Sequence, residues 1–126
     1  MRGLLLVSAV NGFLAVALGA FGAHGLKSRL ASVADGAQRL DWWHTAAQYH
    51  LAHALAIGLA AVVVGRGAAP GAVPAGIAFV CGILLFCGSL YVMTLTGVRA
   101  LGAVTPLGGL AFLVGWACLA WAAWKS

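Results

Sequence analysis

Four long apolar runs alternate with short polar breaks along this chain, and each run is close to the about 20 residues needed to cross a hydrocarbon core. They predict helical spans over about 3–23, 43–64, 74–95 and 105–124. Between the first two, Leu26, Leu30, Val33, Ala37 and Leu40 recur at helical spacing, while Lys27, Arg29, Gln38 and Arg39 lie off that stripe. This predicts a short amphipathic segment at the membrane surface, interrupted near Ser32, where SVAD can cap a new helix. The breaks carry their own signals. Three glycines around His24 predict a sharp bend or close packing, GRGAAPGAVP (Gly65 to Pro74) predicts a tight turn, and Gly97 predicts the end of the third span. Thr105 followed by Pro106 reads as an N-cap and first helical position. Trp42 and Trp43 at one end, and Trp121 and Trp124 at the other, fall where aromatic belts meet lipid headgroups.

Composition excludes the soluble alternative. Charged residues make up only 7% of the 126, too few to cover a water-facing surface, and mean hydropathy is +1.04. The expected fold is all-α: one domain over 1–126, an integral membrane bundle of four antiparallel transmembrane helices. The start, Arg2 then an apolar run and small residues near Ala20 to Ala23, has the outline of a signal peptide but is expected to be a retained span. Net charge is +5, yet the basic residues are scattered singly at span ends, which excludes a nucleic-acid surface. Lys27, Arg29, Arg39 and Arg99 fall on one side and Arg2, Arg66 and Lys125 on the other, so the charge rule leans only slightly towards cytoplasmic loops and outward termini. Cys81, Cys87 and Cys118 form no paired motif and are expected to be small buried hydrophobes.

The candidate chemistry lies in WWHTAAQYHLAHALAI, Trp42 to Ile57, because histidine is rare inside a span and must find an internal partner there. His50 and His53 are three apart and are expected on roughly one helix face. At about 1.5 Å per residue they lie roughly 10 Å and 15 Å below Trp43, whereas His24 should stay near the surface. That mismatch, with no acidic residue in any span, predicts no metal and no cofactor site. The same depth arithmetic puts Asn11, His53, Cys87, Ser89 and Trp116 near the bilayer middle, with Tyr49, His50, Tyr91 and Thr94 in a shallower polar layer. His53 is expected to be neutral and bonded to Asn11 or to a group near Ser89. No catalytic constellation emerges: GSLYV lacks the nucleophile-elbow pattern, and TPLGG lacks the lysine of a phosphate loop. Gly108 and Gly109 are expected to permit close helix packing.

Four ordered stretches carry a resemblance. GAFGAHGL, YHLAHALAI, LFCGSLYVMTLTGVRALG and TPLGGLAFLVGW together resemble the YgdD/YwdK family of small bacterial inner-membrane proteins, domain of unknown function family 423, which is also similar to a small eukaryotic transmembrane protein. The likeness covers nearly the whole chain. It implies a multi-pass protein of the inner membrane without an established molecular function. The family pattern carries histidine at the positions of His24 and His53, and glutamine or histidine at that of His50.

Two functional readings follow. One is a non-enzymatic accessory, assembly or lipid-interacting bundle, with membrane lipids, a second copy or another membrane protein as partner. The other is a lipid- or quinone-type ligand site, or a small transport module, using the polar layer of Tyr49, His50, His53 and Tyr91; the wider set of candidate polar residues is Asn11, His24, Tyr49, His50, His53, Ser89, Tyr91 and Thr94. A bundle with every polar group paired favours the first, and a crevice at the histidine layer favours the second.

Overall fold

The computed structural model describes residues 1–67 and 69–126; Ala68, inside the Gly65 to Pro74 turn, lies outside the described residues. Among these the chain is all-helical, with four helical stretches long and apolar enough to cross a membrane: Arg2–Leu30, Gly36–Gly65, Ala72–Thr96 and Arg99–Lys125. The first comprises α1 (Arg2–Phe21), a wide π-helical turn (Gly22–Leu26) and α2 (Lys27–Leu30). The second is α3 (Gly36–Gly65). The third comprises α4 (Ala72–Gly82), a second π-helical turn (Ile83–Cys87) and α5 (Gly88–Thr96). A 3-10 turn (Arg99–Ala103) leads into α6 (Thr105–Lys125).

Specific pairs set the packing. Ser8 Oγ donates to the Ala54 carbonyl and Trp43 Nε1 to that of Leu18, so numbers rise along α1 as they fall along α3. Thr94 meets Arg39 and Tyr91 meets His50, while Phe86 faces Gly108 and Phe79 faces Gly115. The core lies among α3, the third span and α6, with Ile57, Phe79, Cys87 and Thr94 its largest fully buried side chains. The first span is peripheral. Only Ala15 of α1 is buried, while Leu6, Val10 and Phe13 point outward, as lipid-facing residues do.

Several local expectations are revised. The glycines around His24 do not bend the chain, because the helix passes through them to Leu30, and Gly22 is there for contact. A Cβ at Gly22 would run into the Trp43 ring. The amphipathic stripe is divided between two helices, Leu26 and Leu30 closing the first and Leu40 lying near the start of α3. The break comes at 31–35, around Ser32 as expected. Neither Ser32 nor Asp35 caps α3 through a side chain: the Asp35 carboxylate faces Arg39 at 3.7 Å and Arg99 at 3.5 Å. Thr105 is the first residue of α6 and caps nothing, its hydroxyl being used elsewhere. Gly97 ends α5 as expected, at φ 74°, with its amide donating to the Met93 carbonyl. Of the cysteines only Cys87 is buried, since Cys81 lies on an outward face.

This course through the bilayer has a direct consequence. A reporter inserted at Ala34 and one fused after Ser126 are expected in opposite compartments, because three spans separate them. Enzymatic reporters read from both sides of the membrane check this, and a shared compartment would overturn the four-span course.

Candidate functional site

His50 and His53 are held by α3, but their rings enter different interfaces. Three residues apart on a helix means about 60° of rotation, and that suffices to separate them. The expected common face is therefore wrong. His50 turns towards α1 and α5, where Asn11 Oδ1 lies 3.1 Å from its Nε2 and the Tyr91 hydroxyl 3.1 Å from its Nδ1. His53 turns towards α6, where Trp116 Nε1 donates to its Nε2 at 3.2 Å, and its own Nδ1 donates to the Tyr49 carbonyl at 2.7 Å.

The partners dictate where each proton sits. A backbone carbonyl only accepts and an indole N–H only donates, so His53 carries its proton on Nδ1. Asn11 spends its amide N–H on the Val7 carbonyl at 2.8 Å and presents its oxygen to His50, which therefore carries its proton on Nε2 and accepts from Tyr91. Both imidazoles are neutral, with opposite tautomers. Asn11 thus serves His50 and not His53, one turn away from the expected pairing.

The remaining candidates separate into smaller groups. Ser89 donates to the Phe86 carbonyl at 2.9 Å and accepts from Thr105 Oγ1 at 2.6 Å, so it is not His53's partner. The single Thr94 hydroxyl proton is shared between the carbonyls of Arg39 and Leu90, both 2.9 Å from Oγ1, and Arg39 Nε donates in return to the Thr94 carbonyl at 2.8 Å. Arg99 lies over Trp42 at 5.5 Å and donates to Gln38, tying the 3-10 turn to the start of α3. His24 is exposed and apart from this network. Among the described residues, every buried side-chain nitrogen and oxygen has a partner, and no three metal-ligating side chains come together.

One concavity reaches His53. A groove of about 680 Å³ runs between α3 and α6 on the outer face, with Tyr49, His53, Phe86, Gly109, Phe112 and Trp116 among its walls. Its floor is aromatic: Phe112 stacks on His53 with ring centres 3.5 Å apart, and Tyr49 is tilted against Phe86 at 4.7 Å. Tyr49 and Trp116 are each 45% exposed into it, so the groove is open to lipid. The Tyr49 hydroxyl has no hydrogen-bond partner among the described residues. Gly109 lines this groove while Gly108, next to it, does the close packing expected of both.

The family model described as "Protein of unknown function (DUF423)" matches residues 18–109. The chain belongs to that family. The match takes in His24, His50, His53, Tyr91 and Thr94, and stops short of Asn11 and Trp116, the partners on the outer spans. Among individual proteins, the DUF423 chain is similar to the UPF0382 membrane protein YwdK of Bacillus subtilis, 44% identical over 57 residues, which are 45% of this chain and 42% of the relative. It is also similar to the UPF0382 inner membrane protein YgdD of Escherichia coli K12, 42% identical over 66 residues, 52% of this chain and 47% of the relative. The matched stretch thus spans less than half the length of each relative. No solved structure matches. With four membrane-capable helices and relatives named as membrane proteins, the DUF423 chain is a multi-pass protein of the inner membrane, and its family carries no assigned molecular function.

Sequence reasoning placed Trp116 at mid-depth but did not see it as His53's partner. Phe86 and Phe112 were missed as site residues, since an apolar ring in an apolar run gives no signal of its own, and Thr105 was read as an N-cap where its hydroxyl instead bonds Ser89.

Proposed function

We propose that this protein is a non-enzymatic, lipid-interacting bundle that holds a chain-bearing membrane ligand with a carbonyl oxygen in the groove between α3 and α6. The observation that carries this reading is the groove itself: aromatic, open to the bilayer, and edged by a phenol hydroxyl without a partner. An apolar tail suits the rings of Phe86, Phe112 and Trp116, and a carbonyl supplies the acceptor that Tyr49 lacks in hydrocarbon. An ester of a phospholipid and the ring carbonyl of a quinone offer that same acceptor. The non-enzymatic part is supported by the histidines, whose four ring nitrogens are already committed to Asn11, Tyr91, Tyr49 and Trp116. Ser89 is likewise committed, which leaves no general base beside a nucleophile.

Purification from native membrane followed by mass spectrometry of the retained lipids tests this reading and separates the two sources of the carbonyl. One lipid class is expected to be enriched over the bulk membrane. Tyr49→Phe is expected to weaken its retention roughly 2- to 10-fold, the value of one ordinary hydrogen bond. Gly109→Leu is expected to abolish it by filling the groove, because a Cβ there meets nothing nearer than Phe86 at 4.0 Å and the fold is spared. Retained lipid that mirrors the bulk membrane and ignores both variants would overturn the reading.

A further inference from the structure

We propose that the ligand of the groove is an anionic glycerophospholipid, its phosphate diester held by Arg99 above the groove and its acyl chain lying along α6. This rests on the reading above and decides between its two sources of the carbonyl. The observation is the way Arg99 is held. Its guanidinium lies over the Trp42 ring at 5.5 Å, and Nη2 alone makes both polar contacts, to Gln38 Oε1 at 2.8 Å and to an Asp35 carboxylate oxygen at 3.5 Å. Nε and Nη1 have no partner among the described residues, and the side chain is 59% exposed. Asp35 is shared with Arg39 at 3.7 Å, so two guanidiniums face one carboxylate and one positive charge stays uncompensated. On this side of the membrane Lys27, Arg29, Arg39 and Arg99 outnumber the chain's two acidic side chains, Asp35 and Asp41. A phosphate diester without a headgroup cation matches that excess, and its oxygens accept charge-assisted hydrogen bonds from the N–H groups still uncommitted.

The groove continues from that point. Trp42 and Tyr49 are seven residues apart, so they share one stripe of α3 and differ by about 10 Å in depth. Arg99 over Trp42 therefore stands at the headgroup level above Tyr49. The turn that carries it (Arg99–Ala103) runs into the first turn of α6, where Pro106 begins the groove wall. From Pro106 to Trp116 the wall descends about 15 Å, half of the about 30 Å hydrocarbon core. That is one leaflet, the depth an acyl chain occupies below its own phosphate. A tyrosine leans back towards the N-terminus of its helix, which brings the Tyr49 hydroxyl up towards the esters between phosphate and chain. A quinone offers a carbonyl and a tail but nothing for the guanidinium.

Energy transfer from the tryptophans of the full-length protein in mild detergent to tail-labelled phosphatidylglycerol, phosphatidylethanolamine or an isoprenoid quinone tests this. Phosphatidylglycerol is expected to bind most tightly, and less so as salt is raised. Arg99→Gln is expected to weaken its binding about 10- to 150-fold, the value of a hydrogen bond to a charged group, and to remove most of the preference over phosphatidylethanolamine. Arg99→Lys keeps the charge and is expected to recover part of the loss. Gly109→Leu is expected to abolish binding with Arg99 still in place. Equal affinity for the two phospholipids, or indifference to Arg99→Gln, would overturn the proposal. So would phosphatidylglycerol binding that survives Gly109→Leu, since the phosphate would then be held at the surface alone. Preference for the quinone, weakened by Tyr49→Phe and untouched by Arg99→Gln, would overturn it and leave the groove reading standing. Absence of saturable binding by all three would sink both.

Discussion

Gly108→Ala is expected to destabilise the bundle by about 1–3 kcal/mol, while Gly109→Ala, one residue on, changes stability little. The difference comes from what a single added carbon meets. At Gly108 it would overlap the Phe86 amide nitrogen and lie 2.6 Å from the Phe86 Cβ and 2.7 Å from its Cα. Those are backbone-anchored atoms in the wide turn between α4 and α5, and they cannot swing aside as a side-chain tip can. At Gly109 the nearest atom is a Phe86 ring carbon 4.0 Å away, ordinary contact distance. Thermal unfolding in a mild detergent compares the two. Equal stability of the two variants would mean that α6 does not approach the Ile83–Cys87 turn as closely as described.

His50→Leu is expected to cost more than its own lost bonds. It strands Asn11 Oδ1 on one side and the Tyr91 hydroxyl on the other, at about 1–3 kcal/mol for each group left buried and unpaired. Adding Asn11→Leu removes one of those orphans, so the double variant is expected to be less destabilised than the two single losses added together. The coupling should be of order 0.6 kcal/mol, the average for polar contacts between membrane helices. The same cycle run between His53 and Asn11 is expected to be additive, because His53 bonds Trp116 and Tyr49. Coupling of Asn11 to His53 in place of His50 would reverse the assignment of the two histidines.

Much of the architecture could be read from residues alone, because lipid leaves a long apolar run few options. The four spans, the stop at Gly97 and the break near Ser32 are of this kind. Hydrogen-bond partners were not legible, for a geometric reason. Counting residues gives the depth of a side chain but not the direction it points around its helix. Asn11, His50 and His53 all lie within a turn or two in depth, and only about 60° of rotation decides which ring Asn11 meets. Glycines were ambiguous in the same way. The glycines around His24 allowed either a bend or close packing, and only the Trp43 ring lying against Gly22 decides for packing. The groove residues were hidden differently: Phe86 and Phe112 look like any lipid-facing ring until Phe112 stacks on His53 and Phe86 packs against Phe112.

The two wide turns bear on ancestry. A π-helical turn absorbs one residue more than α geometry needs; inserted in α geometry, the same residue would rotate everything beyond it by about 100°. Losing one residue from Gly22–Leu26 or Ile83–Cys87 would let that turn close to ordinary α geometry while both flanking faces keep their neighbours. Relatives that differ from this chain by one residue are therefore expected to carry the gap inside these two helices. An alignment that moves such a gap into the loop beyond Thr96 would displace Ser89, Tyr91 and Thr94 by one position, and would make their interfaces look variable where the geometry is retained.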